Sequence, residues 1–427
     1  MRFQRLDDWL AWQAGLHPEE IELGLERVVG VWRRLRPTGL GCRVVTVAGT
    51  NGKGSSVAML EAIYLQAGYR VGSYTSPHLV RYNERVRVDG RAVSDRQLCQ
   101  AFEQVDVARQ EVALTYFEFG TLAALEIFAG LELDLVVLEV GLGGRLDAVN
   151  IIDPDVALIT TVDLDHQNWL GTSREAIGRE KAGIMRAGKP VVLASEMPAT
   201  VYREARELGA QIYRSGQEFH VESTADGFSW FGRDRQYLGL PQPALRGDYQ
   251  IRNAAAVLMV CQCLSQSLPV ERAAIGKALQ AVRLPGRMQI LAGTPPIILD
   301  VAHNPQAVLT LRDQLAELAI AGKVHAIFGI LGDKDLASIL DIIAPRVASW
   351  HLVDTPGPRG QSAAQLRVRL ADQGIDRNLF TCGGVAKALE SARSLAGAGD
   401  AILVFGSFLV VGEFLESFSK METIELI

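Results

Sequence analysis

The sequence predicts an α/β chain of two domains: a larger N-terminal one built on a parallel sheet that carries a phosphate loop, and a smaller α/β one behind it. Three observations carry this. From Arg43 onward, short β-branched runs alternate with longer amphipathic stretches, the pattern of a parallel sheet wrapped by helices. The first run leads into Ala48-Gly-Thr-Asn-Gly-Lys-Gly-Ser55, a glycine-rich turn with a lysine. Much later, Leu284-Pro285-Gly286-Arg287 breaks the chain, and a second strand–helix series follows.

Taken in order, Arg43–Val47 is the first strand and Ser55–Ala67 the helix behind the loop. Leu133–Val140 is nearly all apolar, as a strand covered on both faces must be, and Asp155–Val162 and Pro190–Ala194 repeat the signal. Between Ile212 and Leu240, aromatic and polar residues mix at about period two, which predicts a small antiparallel excursion. After the break at Leu284, strands are expected at Pro296–Val301, His325–Leu331, Ser349–Val353 and Ala401–Phe405. The expected domains are residues 1–284 and 285–427.

Composition narrows the function. Hydrophobic residues make up 48% of the 427 and charged ones 22%, the balance of a globular domain rather than a disordered one. A formal charge of −6 argues against non-specific nucleic-acid binding, so an anionic ligand has to be met by local groups. The five cysteines are irregularly spaced without a C-x-x-C pair and read as reduced thiols. Cys261 and Cys263 fall on a predicted helix, Ala254–Leu264, where residues two apart diverge and make a poor metal clamp. The N-terminus lacks an apolar signal core, and Ala401–Leu415 is too short and too interrupted to span a bilayer. A cytoplasmic monomer acting on small molecules is expected, with no membrane partner.

The loop is the strongest chemical signal. Glycines allow consecutive N–H groups to face one anion, the following helix adds its positive end, and Lys53 supplies a mobile cation for β and γ phosphates. Residues Gly49, Thr50, Asn51, Gly52, Lys53, Gly54 and Ser55 are therefore assigned to a nucleoside triphosphate. The spacing departs from the common G-x-x-x-x-G-K-[ST] loop, because Val47 stands where its first glycine would fall and Gly54 separates Lys53 from Ser55. Glu139 ends a buried strand at the edge where open sheets place ligands, and can either hold Mg²⁺ or close a salt bridge. His166, in Asp163-Leu-Asp-His-Gln-Asn168, reads equally as a ligand or as a loop histidine. Taken alone, Lys181 reads as a surface helix residue, and Tyr116 and Phe117 also fit a core.

Five segments together narrow the reading. Gly49-Thr-Asn-Gly-Lys-Gly-Ser55, Thr75-Ser-Pro-His-Leu-Val-Arg-Tyr-Asn-Glu-Arg85, Glu139-Val-Gly-Leu-Gly-Gly-Arg-Leu-Asp147, Glu180-Lys-Ala-Gly-Ile184 and Asp300-Val-Ala-His-Asn304 occur in this order. They resemble the folylpolyglutamate synthase family of the Mur-ligase superfamily, in its bifunctional form with dihydrofolate synthase activity. The resemblance implies an ATP-dependent ligase that joins L-glutamate to dihydropteroate and to reduced folates through an acyl phosphate, using two Mg²⁺ sites. It implies that Ser76 and Glu139 hold one metal, that His166 serves the second, and that Lys181 is carbamylated. It also assigns Thr115, Tyr116, Phe117, Glu118, Leu146, Asp147 and Ala148 to the pterin-bearing substrate. Asn253, Arg287 and Asp300 go by the same resemblance to ATP, His303 and Ser407 to the incoming glutamate, and closure of the second domain, which the resemblance makes Rossmann-like, to the mechanism. In Gly406-Ser-Phe-Leu409, Leu409 stands where some members carry a polar residue. A monofunctional folylpolyglutamate synthase is the nearest rival. A nucleotide-switched binding protein would explain the loop but not Glu139, His166 and Lys181 together, and the Ser76-Pro-His78 segment and compact size speak against a peptidoglycan-type ligase.

Overall fold

The computed structural model describes residues 1–36, 38–224 and 226–421. They form two compact units, the first comprising Met1–His78, Tyr82–Ala244 and Asp248–Val282, the second Leu79–Arg81, Leu245–Gly247 and Arg283 onward. A single cut at 284/285 does not anticipate the two short segments that belong to the second unit.

The first unit is built on an eight-stranded sheet. Its strands are β1 (Arg43–Ala48), β2 (Val71–Tyr74), β3 (Val86–Val88), β4 (Arg91–Ala92), β5 (Leu135–Glu139), β6 (Val156–Ile159), β7 (Pro190–Leu193) and β8 (Gln211–Arg214). They are ordered β4-β3-β2-β5-β1-β6-β7-β8. From β2 to β8 the pairings are parallel, while β3 and β4 close one edge antiparallel. Residues of β5 are buried throughout, which explains its unbroken apolar run: helices cover both faces, and alternation has nothing to select. Because β5 inserts between β1 and β2, the chain reverses direction across the sheet there, and such a switch leaves a crevice at the carboxyl ends of the strands.

The antiparallel excursion is real but starts later than the sequence suggested. Ile212 lies on β8, which pairs parallel to β7 in the main sheet. The separate three-stranded sheet is β9 (His220–Thr224), β10 (Gly227–Phe231) and β11 (Gln236–Pro241). Period-two patterning is shared by a parallel edge strand and a hairpin, so it could not mark the transition.

The second unit holds β12 (Gln289–Leu291), β13 (Ile297–Leu299), β14 (Val324–Phe328), β15 (Val347–Leu352), β16 (Leu379–Thr381) and β17 (Ala401–Phe405). Their order is β12-β13-β17-β14-β15-β16, parallel except for β12. The strands read from sequence all appear within a residue or three of their expected ends. The short β2, β3, β4, β12 and β16 carry too few residues for a period to show. Ala401–Leu415 is a strand followed by the start of the Phe408–Met421 helix, as read. Among the described residues, no helix is long and apolar enough to cross a membrane.

A polar chain runs from Asp400, half-buried just before β17, through buried His325, Ser349 and His351 on β14 and β15, to half-buried Ser391 on the Val385–Leu395 helix. His325 Nε2 meets Asp400 Oδ2 at 3.1 Å, His325 Nδ1 meets Ser349 Oγ at 2.8 Å, Ser349 Oγ meets His351 Nε2 at 3.0 Å, and His351 Nδ1 meets Ser391 Oγ at 2.9 Å. With both rings protonated at Nε2, the two serine hydroxyls donate to the Nδ1 atoms and every polar atom of the chain is satisfied. Burial pushes His351 down to about 4, so it stays neutral at physiological pH. Ser349→Ala would strand one nitrogen on each ring in a dry interior. We expect a loss of about 2–4 kcal/mol in unfolding free energy of this unit, read from urea denaturation at pH 7.

Candidate active site

Four adjacent strands, β2, β5, β1 and β6, deliver their carboxyl ends to one edge of the first sheet. After β1 comes the phosphate loop. Its backbone is fastened from the segment behind β6: Thr50 N donates to Thr161 O at 2.8 Å, Asn51 N to Thr161 Oγ1 at 3.0 Å, and Thr160 Oγ1 to Asn51 O at 2.6 Å. Lys53 begins the helix to Gln66 and folds its ammonium back onto Gly49 O at 2.8 Å and Thr50 O at 3.3 Å. This holds the cation over the turn, where a polyphosphate would replace carbonyls as its partner. Gly52 sits at φ +87°, and an added Cβ would lie 2.9 Å from Asn253 Oδ1. Buried Asn253 donates to Gln250 Oε1 at 3.1 Å, and Gln250 Nε2 donates to Ser55 Oγ at 3.2 Å. The Asp248–Cys263 helix thus braces the far side of the loop. Gln250, Thr160 and Thr161 were not found from sequence, although Gln250 lies one turn before Asn253 on the same helix face.

Ser76 follows β2, and its N–H points to Glu139 Oε2 at 3.4 Å, so the strand ends bring these two expected metal ligands together. Glu139 is the last residue of β5, only 5% exposed, and sits in register with Val47, two residues before the loop. His166 takes a left-handed conformation, φ +50°, at the start of the Gln167–Leu170 turn behind β6, and its N–H donates to Asp165 Oδ1 at 2.8 Å.

Lys181 departs most from what its residue type suggests. It is 4% exposed, in the last turn of the Arg174–Ala182 helix. Burial first, and then the charge of Lys53, hold its amine down to about 7, against the pull of Asp165 and Asp147. The approach is made possible by glycines. A Cβ on Gly144 would lie 2.9 Å from Glu180 O and 3.2 Å from Lys181 Cα, and one on Gly183 would lie 2.5 Å from Arg145 Cα. Arg145 N donates to Glu180 O at 2.8 Å, locking the Gly141–Asp147 turn onto the helix end.

Asp147 ends that turn. Its oxygens accept from Leu142 N at 2.8 Å and Val149 N at 3.0 Å, capping the short Ala148–Ile151 helix. Burial nevertheless lifts its carboxyl to about 6, opposed by the backbone bonds and Lys53. Leu146 beside it is half-buried and Ala148 buried.

Thr115–Glu118 opens the Tyr116–Ala129 helix with a reciprocal cap, Thr115 N to Glu118 Oε2 at 2.8 Å and Glu118 N to Thr115 Oγ1 at 3.3 Å. Glu118 also pairs with Arg27 at 2.9 Å, so its carboxylate is engaged in holding the fold. Phe117 lies against the backbone at Gly141, where an added Cβ would come within 2.6 Å of the ring. Tyr116 meets Tyr82 edge-on at 5.8 Å.

In the second unit, buried Asp300 accepts from Met288 N at 2.9 Å and Ala302 N at 2.8 Å, with its carboxyl raised by burial and lowered by Arg287. The Arg287 guanidinium lies 5.1 Å over Phe408, whose ring is 5.9 Å from that of His303. Ser407 Oγ accepts from Val410 N at 3.2 Å at the start of the last helix, and Leu409 is 42% exposed. Arg287, Asp300, His303 and Ser407 therefore gather within this unit around one aromatic ring and one helix start.

The chain matches the Mur ligase middle domain over residues 47–261 and the Mur ligase glutamate ligase domain over residues 286–408, so its class is that of the ATP-dependent Mur-type ligases. The dihydrofolate synthase/folylpolyglutamate synthase of Escherichia coli is 43% identical over 96% of this chain and 95% of that protein. A structure of E. coli FolC in complex with DHPP and ADP superposes with a TM-score of 0.92 at 42% identity, covering 98% of each chain. The bifunctional folylpolyglutamate synthase/dihydrofolate synthase of Yersinia pestis, complexed with AMPPNP and Mn ion, gives 0.89 at 45% identity over 97% of this chain and 98% of the other. The chain belongs to the dihydrofolate synthase/folylpolyglutamate synthase family.

The loop geometry makes a prediction. Gly52→Ala puts an L-residue into a left-handed turn and pushes Asn253 away from it, so affinity for a fluorescent ATP analogue is expected to fall by roughly tenfold or more, with a loss of about 1–2 kcal/mol in stability read from urea denaturation.

Proposed function

We propose that the chain joins L-glutamate to dihydropteroate and to reduced folates at the expense of ATP, through an acyl phosphate. The observation that supports this best is the buried Lys181 amine, held near neutrality beside Lys53 at the strand edge that also carries Glu139, Ser76 and the phosphate loop. A carboxylate and an amine do not condense in water. The γ-phosphorus–oxygen bond of ATP breaks as a substrate carboxylate oxygen bonds to phosphorus, and ADP leaves. The glutamate nitrogen then attacks the acyl carbon, loses a proton, and expels phosphate with one carboxylate oxygen. Phosphoryl transfer is mostly positioning and charge neutralisation. Gly49–Ser55 and Asn253 cradle ATP, and Lys53 offsets charge on its β and γ phosphates.

Ser76 and Glu139 present oxygens suited to one Mg²⁺, and His166 serves the second. Among the described residues no three His, Cys, Asp or Glu side chains cluster as a metal site by themselves. A carbamate on Lys181 adds the anionic oxygens this edge needs: the neutral amine attacks CO₂, an N–C bond forms, and a proton is released. Phe117, Tyr116, Leu146, Asp147 and Ala148 receive the pterin-bearing substrate, with Thr115 and Glu118 fixing the helix that presents the rings. From the second unit, Arg287 and Asp300 serve ATP, and His303 and Ser407 the glutamate. Five free cysteines agree with a reducing cytoplasm, where the chain works as a monomer on small molecules.

Pteroate labelled with ¹⁸O in its carboxyl should pass one label to orthophosphate on each turnover, and unlabelled phosphate would sink the acyl-phosphate route. Assays with dihydropteroate and tetrahydrofolate separately decide between the bifunctional and the monofunctional reading: turnover of tetrahydrofolate alone would leave only the latter.

Lys181→Ala is expected to lower kcat by roughly 100-fold or more, with partial recovery on adding short carboxylates. Carbamate formation needs the unprotonated amine, so the ¹³C signal from ¹³CO₂-loaded enzyme should grow as pH rises through about 7 and vanish in the variant.

A further inference from the structure

Arg85 is not among the residues assigned so far, yet its surroundings are unusual for an arginine of this unit. Arg27, Arg36, Arg87 and Arg145 each pair with a carboxylate. Arg85 pairs with none among the described residues. Its Nε donates to His78 Nδ1 at 2.8 Å, and its guanidinium carbon lies 5.2 Å over the Tyr82 ring and 5.7 Å over the Tyr116 ring. The imidazole accepts this bond at Nδ1 and so supplies no counter-charge to the guanidinium. One edge of the fork is pinned while both NH₂ groups are left to other partners.

The position matters as much as the pairing. Arg85 closes the Tyr82–Arg85 turn just before β3, and its carbonyl accepts Thr75 N at 2.9 Å, which places it across from Ser76. Tyr116, the second ring beside the guanidinium, is followed by Phe117, which lies on Gly141 just beyond Glu139. Arg85 is thus set between the rings assigned to the substrate and the Ser76–Glu139 pair. A partly desolvated cation without an anion is costly, and a planar fork fits a carboxylate through two parallel bonds.

We propose that Arg85 is the clamp for the substrate carboxylate, holding the pteroyl carboxylate by its two NH₂ groups while one oxygen faces the γ phosphate, and that His78 is a positioning residue that sets the fork. The proposal rests on the folate-ligase reading above. It deepens that reading by naming the residue that selects an acid over its neutral analogues.

The test compares binding of dihydropteroate with that of its carboxamide, which keeps the pterin and the ring but carries no charge. Wild-type protein should prefer the acid, and Arg85→Gln should weaken the acid by roughly 10- to 100-fold while leaving the carboxamide and an ATP analogue unchanged. Arg85→Lys should recover part of the preference, because it keeps the charge without the fork. His78→Ala should raise KM for dihydropteroate, and His78→Gln, which restores an acceptor, should reverse much of that rise. Equal weakening of acid and carboxamide in Arg85→Gln would assign the residue to the aromatic packing alone and overturn the clamp, as would an unchanged preference. Failure of the wild-type protein to bind either ligand, with ATP analogue still bound, would instead overturn the folate reading and the clamp with it.

Discussion

The first unit depends on one close approach, that of the Gly141–Asp147 turn to the Glu180–Lys181 end of a helix. Backbone atoms meet there at distances a side chain would not allow, and the Arg145 N–Glu180 O bond holds the contact. Its consequence is electrostatic. Lys181 is carried out of water into a place where its ammonium form is penalised by burial and by Lys53, so a residue that is ordinarily a surface cation has its amine held down to about 7. The same turn brings Asp147 inside and ends the strand on which Glu139 sits.

Around that contact, the parallel sheet does the assembling. Each segment of the candidate site in the first unit comes from a different part of the chain, yet β2, β5, β1 and β6 are neighbours and end at the same edge. No functional side chain has to reach far. The threonines behind β6 and the Gln250–Asn253 face of a distant helix fasten the loop from two sides, so its amides are aimed before a nucleotide arrives. Preorganisation of this kind is what electrostatic catalysis of phosphoryl transfer requires.

The second unit solves a different problem. Its sheet is buried between helices, and polar residues within it are tolerated because they satisfy one another, as in the chain from Asp400 through His325, Ser349 and His351 to Ser391. Asp300 is handled in the same way by two backbone donors, which orient it within the cluster formed with Arg287, Phe408 and His303.

The sequence by itself determined the class of fold, the long buried strands, the phosphate loop and the family, because apolar runs, glycine turns and ordered motifs are local properties of the chain. It also singled out Glu139, since an acid closing an apolar strand is legible from neighbours alone. Only the tertiary structure decided that Lys181 is buried, that Glu118 serves a helix cap and Arg27, that β8 belongs to the main sheet, and that Arg85 lacks a carboxylate partner among the described residues. The reason is common to all of these: burial, pairing and pKa are set by what residues far away in sequence bring alongside, and no pattern within one segment records its neighbours in space.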